Sequence, residues 1–185
     1  SESLFLLLAL AALWSLRKGR WLLAGATSML ATFTRLNGLI LSAVILVEWF
    51  MNYRRESLKK NLKPLLSCMM PLFVFVGLTL WRSSQNLPGL MEVQATYWHR
   101  IPVLPWVGIT QTITRVIQHD ASFIEFVDLF VVFGMLLAGI AVIKKLPSSL
   151  AVYHWGFLLF SLSQMRIGQP LSGQARFAIM LFPAF

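Results

Sequence analysis

The chain has 185 residues, of which 57% are hydrophobic and 12% are charged. An average soluble domain has about 25% charged residues. This composition therefore excludes a soluble globular domain of average composition and predicts an integral membrane protein. The formal net charge is +9. Because Lys and Arg cluster at the ends of apolar blocks, this charge is typical of membrane topology rather than of nucleic-acid binding. We therefore predict the lipid bilayer as a partner and no nucleic acid.

Apolar blocks run along the whole chain and predict an all-α polytopic membrane protein with about six to seven hydrophobic helices. They occupy residues 4–16, 21–33, 39–53, 64–81, 121–143, 147–164 and 177–185. The chain becomes apolar within three residues of Ser1 and ends inside an apolar block. We expect residues 1–185 to form a single transmembrane region, a fragment of a longer chain.

The second and third blocks flank Arg35, and together they are too long for one membrane helix. A helix over residues 21–53 would measure about 50 Å at ~1.5 Å per residue, against a hydrocarbon core of roughly 30 Å. Basic clusters at 17–20 and 54–63 border this region, and such clusters stay cytoplasmic. Both ends then lie on one side, which predicts a short helical hairpin. Arg35 lies at its outer turn, among the turn-forming residues Thr34, Asn37 and Gly38.

The same parity assigns the later segments to sides of the membrane. Block 64–81 runs outward, residues 82–120 lie outside, block 121–143 returns to Lys144 and Lys145, and block 147–164 runs outward again. Ten basic residues are then inside, in clusters that mix Lys and Arg, and six are outside. All six outer residues are isolated arginines: Arg35, Arg82, Arg100, Arg115, Arg166 and Arg176.

This outer set of arginines indicates a phosphate ligand at the level of the lipid headgroups. The planar guanidinium group binds phosphate through two parallel hydrogen bonds and is less strongly hydrated than an ammonium group. The alternative is that each arginine anchors a helix by reaching towards the headgroups. We favour the ligand role for Arg35 and Arg176, which lie near short or glycine-containing segments.

The outer region 85–120 is predicted to be a loop that contains an interfacial helix. Its tryptophans, Trp98 and Trp106, suit the membrane interface. Within it, the stretch "GITQTITRVIQ" places its aliphatic residues on one helical face, which predicts a helix lying in the membrane plane; they are Ile109, Ile113, Val116 and Ile117. The preceding "YWHR", residues 97–100, could hold a sugar or a polyprenyl headgroup, or could be a solvated interface belt.

Metal and cofactor chemistry is not predicted. Cys68 is the single cysteine, and the three histidines lie far apart, so neither a thiolate metal site nor an intrachain disulfide is possible. The carboxylates Glu125 and Asp128 share a helical face at i, i+3 spacing. They could form a polar site or bond within the helix bundle, and we assign neither as a catalytic base.

Three patches of the chain resemble the later part of the GPI mannosyltransferase 2 family and its bacterial relatives, which are GT-C type glycosyltransferases. The first is "SESLFLLLALAALWSLRKGRWLLAGATSMLATFTRLNGLILSAVILVEW", residues 1–49. The second is "QATYWHRIPVLPW", residues 94–106, and the third is "QPLSGQARFAIMLFPAF", residues 169–185. At "TRLNG" many relatives have proline after the position following arginine. Asn37 stands there instead and still suits a turn.

The resemblance implies a membrane mannosyltransferase that takes a sugar from a polyprenyl-phosphate donor on the outer or lumenal face. The acceptor would be a glycan or a lipid. In that family the catalytic acidic residue usually lies in the first outer loop, near the N-terminus, so we expect the catalytic residue upstream of residues 1–185 and name none here. We predict that five residues bind substrate: Arg35, Asn37, His99, Arg100 and Arg176. The protein would be multi-pass, in the cell membrane if bacterial or in the endoplasmic reticulum if eukaryotic.

Two other interpretations fit the sequence. Short broken helices with a charge between them also mark transporter sites, so a transporter or flippase of a lipid-linked or anionic solute is the main alternative. An acidic residue in a preceding outer loop would favour the enzyme. The third interpretation is a membrane scaffold without catalysis.

Overall fold

The computed structural model describes residues 2–52, 58–178 and 180–181, and most of these residues are helical. The helices are α1 Glu2–Arg17, α2 Trp21–Thr34, α3 Ile40–Asn52, α4 Leu58–Ser84, α5 Leu90–Trp98, α6 Pro105–Ile117, α7 Phe123–Lys145, α8 Ser148–Leu162 and α9 Gln174–Ala178. A 3-10 turn, Leu36–Leu39, precedes α3, and two short strands are β1 Arg100–Pro102 and β2 Gln164–Arg166. The predicted all-α class is confirmed, with one small two-stranded ladder added.

Among the described residues, two helices are long and apolar enough to cross a membrane, judged by length and composition. They are Leu62–Ser84 of α4 and Phe123–Lys145, which is α7, with 23 residues each. Each therefore extends about 35 Å at ~1.5 Å per residue. In the part of the chain that the structure describes, the apolar stretches Trp21–Thr34, Leu36–Met51 and Ser148–Leu162 have at most 17 residues. A polytopic arrangement of six to seven spans therefore stays a prediction.

Helices α1 to α4 and residues 147–153 form one compact unit. Within it, α2 contacts both α1 and α4, and its buried residues are all small: Ala24, Gly25, Ser28, Ala31 and Thr32. A methyl group added to Gly25 would lie 2.7 Å from Sδ of Met70 and 2.8 Å from Cα of Ser67. The α2 and α4 backbones therefore approach closely, as membrane helices with small interface residues do.

The helix break predicted at Arg35 is confirmed. Arg35 has extended backbone angles, φ −153° and ψ 135°, between the end of α2 and the 3-10 turn. Gly38 follows where a Cβ atom would lie only 2.5 Å from the backbone nitrogen of Thr32. The chain therefore folds back against the last turns of α2, and only glycine fits at this point.

The second compact unit comprises residues 86–146 and 154–185, of which the described part holds α5, α6, α7, α9, both strands and residues 154–162 of α8. The strands β1 and β2 pair antiparallel, with Arg100 opposite Arg166 and Pro102 opposite Gln164. The N–H of Ile167 extends this pairing by donating to the carbonyl of His99 at 3.0 Å. The region expected to be an outer loop with one helix thus contains two helices and a strand.

Helix α6 confirms the helix predicted in "GITQTITRVIQ" and shows which side faces the protein. Its buried residues are Gly108 and Thr112, whereas Trp106 is 59% and Ile117 is 72% exposed. The exposed side of the helix therefore mixes the apolar residues Trp106 and Ile117 with the polar residues Thr110, Gln111 and Thr114.

Candidate functional site

The five predicted substrate-binding residues fall into two groups. Arg35 and Asn37 belong to the unit built from α1 to α4, while His99, Arg100 and Arg176 belong to the second unit. Within the second unit, the structure brings Arg100 and Arg176 together.

Arg35 forms an ion pair that the sequence analysis did not identify. Its Nη2 atom lies 2.6 Å from Oε1 of Glu2, and the two side chains are 23% and 37% exposed, respectively. The contact joins Glu2, in the first turn of α1, to Arg35, at the break after α2. Glu2 therefore offsets the charge of the Arg35 guanidinium group, which lies between two apolar blocks.

Asn37 lies within the 3-10 turn, where it is partly buried and its carbonyl accepts the N–H of Ile40. Its position agrees with the predicted turn-forming role. Its predicted substrate contact stays a prediction.

Arg100 and Arg176 converge on Gly173. A methyl group added at Gly173 would lie 3.4 Å from Nη2 of Arg176 and 3.7 Å from Nη2 of Arg100. Both distances are measured from the same point, so the two nitrogens can be no farther apart than their sum. The two guanidinium cations therefore flank the small space next to Gly173. An anion placed between the two guanidinium groups would accept hydrogen bonds from both of them.

Arg100 is fixed from two directions. Its backbone is held in the β1–β2 ladder opposite Arg166, and its guanidinium carbon lies 5.4 Å from the centre of the Phe177 ring. The Phe177 ring in turn packs edge-on against Phe157, with ring centres 6.2 Å apart. Stacking on an aromatic face orients a guanidinium plane without neutralising it.

Arg176 lies on α9 and is exposed. Its backbone N–H bonds to the carbonyl of Gly173 at 3.2 Å. The preceding Gln174 is buried and exchanges two hydrogen bonds with Ser161: Nε2 donates to the Ser161 carbonyl at 3.3 Å, and the Ser161 hydroxyl donates to Oε1 at 3.2 Å. These bonds fix the start of α9 and leave the guanidinium at the surface.

Beside Arg100 lies a cavity of about 120 Å³ with amide, hydroxyl and apolar groups in its wall. The polar groups come from Gln94, Ser163 and Gln164, and Phe160 contributes an aromatic ring. His99 is the neighbouring residue in the chain, is exposed, and has a left-handed backbone with φ 50°. Its predicted substrate contact stays a prediction.

The predicted shared face of Glu125 and Asp128 is confirmed, and both residues are buried at 2% exposure. Oε2 of Glu125 accepts the N–H of Ser122 at 2.8 Å at the start of α7, and Oε1 forms an ion pair with Nη1 of Arg115 at 2.8 Å. Asp128 accepts two backbone N–H groups, from Gly173 at 3.2 Å and Ala175 at 3.0 Å. Sequence spacing showed that the two carboxylates share a face but not what they bind.

Comparison of the chain with protein-family models, with curated proteins and with solved structures finds no match in any of the three. Function is therefore inferred from the side chains and their geometry.

Proposed function

We propose that the protein is a multi-pass membrane glycosyltransferase that uses a polyprenyl-phosphate-linked sugar donor. The observation that carries this proposal is the convergence of Arg100 and Arg176 on Gly173. In a transfer from such a donor, the acceptor hydroxyl forms a bond to the sugar and gives its proton to a general base. The bond from the sugar to phosphate breaks, and negative charge grows on the leaving phosphate. Two positioned guanidinium groups stabilise that charge.

A membrane setting is supported by the way α7 distributes its residues. Its buried side includes Glu125 and Asp128, whereas Phe130 is 74% and Leu137 is 68% exposed. In water, the carboxylates would be favoured at the surface and the large apolar side chains in the interior. Large exposed apolar surfaces of this kind face lipid or a partner. The outer side of α6 carries exposed Trp106 and Ile117 beside exposed polar residues, and such a mixed surface suits the membrane interface. A lipid-linked donor would reach the site along such surfaces.

We infer the identity of the sugar and of the acceptor from the family resemblance. The "SGQAR" stretch at residues 172–176, which carries the resemblance to the GPI mannosyltransferase 2 family, contains both Gly173 and Arg176. A mannosyl donor and a glycan or lipid acceptor on the outer or lumenal face follow from this resemblance. The catalytic acidic residue is expected in a preceding outer loop.

The test measures sugar transfer from a polyprenyl-phosphate mannose donor by the full-length protein in liposomes. Arg176→Gln should lower kcat/KM by about 10- to 100-fold, because it removes charge-assisted hydrogen bonds worth roughly 1.5–3 kcal/mol. Arg176→Lys should lie between this variant and the wild type, since it keeps the charge but loses the fork. Arg17→Gln, at an exposed arginine at the end of α1, is the matched control. Wild-type transfer by Arg176→Gln would refute the phosphate role.

A lipid-linked solute transporter is the second candidate, because α2 and α3 are short and interrupted at Arg35. Interrupted helices are common at transporter binding sites. Liposomes loaded with a fluorescent polyprenyl phosphate distinguish the two. Protein-dependent movement between leaflets without an acceptor favours transport, and product formation without such movement favours the transferase.

A further inference from the structure

The segment that carries Arg176 is held at two points by the carboxylates of α7. Oδ2 of Asp128 accepts the N–H of Gly173 at 3.2 Å and Oδ1 accepts the N–H of Ala175 at 3.0 Å. Asp128 is only 2% exposed, and both bonds are partly buried. Hydrogen bonds to an ionised carboxylate are about twice as strong as neutral ones.

Glu125, the other buried carboxylate of α7, holds the opposite end of this segment through Arg115. Arg115 forms the ion pair with Glu125 and also donates to the carbonyl of Gly168 through Nη1. The segment from Gly168 to Ala175 is therefore fastened at both ends to the first turns of α7. The Asp128 end adjoins Arg176 directly.

The two bonds to Asp128 hold the turn from which the Arg176 side chain extends. Gly173 has φ 88°, and Arg176 follows three residues later with its N–H bonded to the Gly173 carbonyl. If the amides of Gly173 and Ala175 were released, this turn would lose two of the hydrogen bonds that orient it and keep those between Gln174 and Ser161. The Arg176 guanidinium would then sample more positions, and binding an anion beside Arg100 would cost more entropy of ordering.

We propose that Asp128 is a positioning residue that holds Gly173 and Ala175 so that Arg176 stands beside Arg100 before a phosphate binds. This inference rests on the proposed function, since it assigns Asp128 a role in the same anion site. Asp128 does not touch the phosphate in this scheme.

The experiment uses the full-length protein in detergent micelles, with farnesyl phosphate as the probe. Asp128→Asn is nearly isosteric but has an N–H group where one of the two backbone donors needs an acceptor. We expect amide hydrogen exchange to accelerate at least about tenfold in a peptide covering residues 169–178. The dissociation constant for farnesyl phosphate should rise by about tenfold. Asp120→Asn, which changes an exposed aspartate, should change neither quantity.

A double variant separates positioning from a merely structural role. If Asp128 acts through Arg176, Asp128→Asn should weaken binding in the wild type but add almost nothing in an Arg176→Gln background. Equal weakening in both backgrounds, or faster exchange with unchanged affinity in Asp128→Asn, overturns the inference and leaves the proposed function standing. Failure of Arg176→Gln itself to weaken binding overturns both.

Should Asp128→Asn fail to fold, Ala175→Pro gives the same test. It deletes the N–H that Oδ1 of Asp128 accepts, at an exposed position in the first turn of α9 where proline is tolerated. It should weaken farnesyl phosphate binding, and unchanged binding would overturn the inference.

Discussion

Replacing Gly173 with alanine tests whether an anion lies between the two guanidinium groups. The new methyl group would lie 3.4 Å from Nη2 of Arg176 and 3.7 Å from Nη2 of Arg100. These are ordinary contact distances, so the methyl group fits without displacing either arginine. It would, however, occupy the space that a phosphate oxygen needs, since such an oxygen must approach a guanidinium nitrogen to about 2.7–2.9 Å.

Two separate effects are expected from Gly173→Ala. The backbone angle φ 88° disfavours a residue with a Cβ atom, which should lower the free energy of unfolding by roughly 1–2 kcal/mol. Farnesyl phosphate should bind at least about tenfold more weakly, equivalent to ~1.4 kcal/mol, because the methyl group excludes the phosphate. Urea unfolding and calorimetric titration in micelles measure the two effects independently.

Gly168→Ala is the matched control for the backbone effect. Gly168 has φ 87°, but a methyl group added there meets no atom within 4 Å. It should therefore lose similar stability and keep its affinity for farnesyl phosphate. If both variants bind the probe equally well, the phosphate does not lie between Arg100 and Arg176, and the geometric basis of the proposed function fails.

Three further predictions concern the ion pairs and the membrane orientation. In a double-mutant cycle of Glu2→Gln and Arg35→Gln, urea unfolding should give a coupling free energy of about 0.5–1 kcal/mol because both side chains are partly exposed; zero coupling would contradict the observed pair. Arg115→Met should lower the free energy of unfolding by about 2–4 kcal/mol, since it leaves the buried Glu125 carboxylate without its cation. Adding Glu125→Gln should recover part of that loss, and no recovery would argue against the pairing. A cysteine introduced at Asn37 should react with a membrane-impermeant maleimide added outside; reaction only from the cytoplasmic side would refute the predicted hairpin orientation.

Apart from α5 and α9, the helices and the break at Arg35 could be predicted from the sequence because they depend on local pattern. Long apolar blocks specify helices, and Asn37 and Gly38 specify the turn that interrupts them. The i, i+3 spacing of Glu125 and Asp128 also placed them correctly on one face. In each case the residues that determine the structure lie within one or two helical turns of each other.

The contacts that build the candidate site could not be predicted in this way. Glu2 and Arg35 are separated by 33 positions, and no local pattern links them. The strands that position Arg100 have three residues each, too few for an alternating pattern to stand out. Arg100 and Arg176 were each selected for their residue type and place in the topology, but their convergence depends on this short ladder and on Asp128.

The structure explains why glycine and arginine occur three positions apart in the "SGQAR" stretch, residues 172–176. A Cβ atom built on Gly173 would lie 3.4 Å from Nη2 of Arg176, so the side chain of Arg176 lies against residue 173. Any side chain at 173 would enter the space that Arg176 and Arg100 flank, and the positive φ there independently favours glycine. Gln174 and Ala175 anchor the same turn through Ser161 and Asp128. Five consecutive residues therefore place one guanidinium group beside a glycine, and the absence of a side chain at 173 leaves room for a phosphate oxygen to approach that guanidinium group.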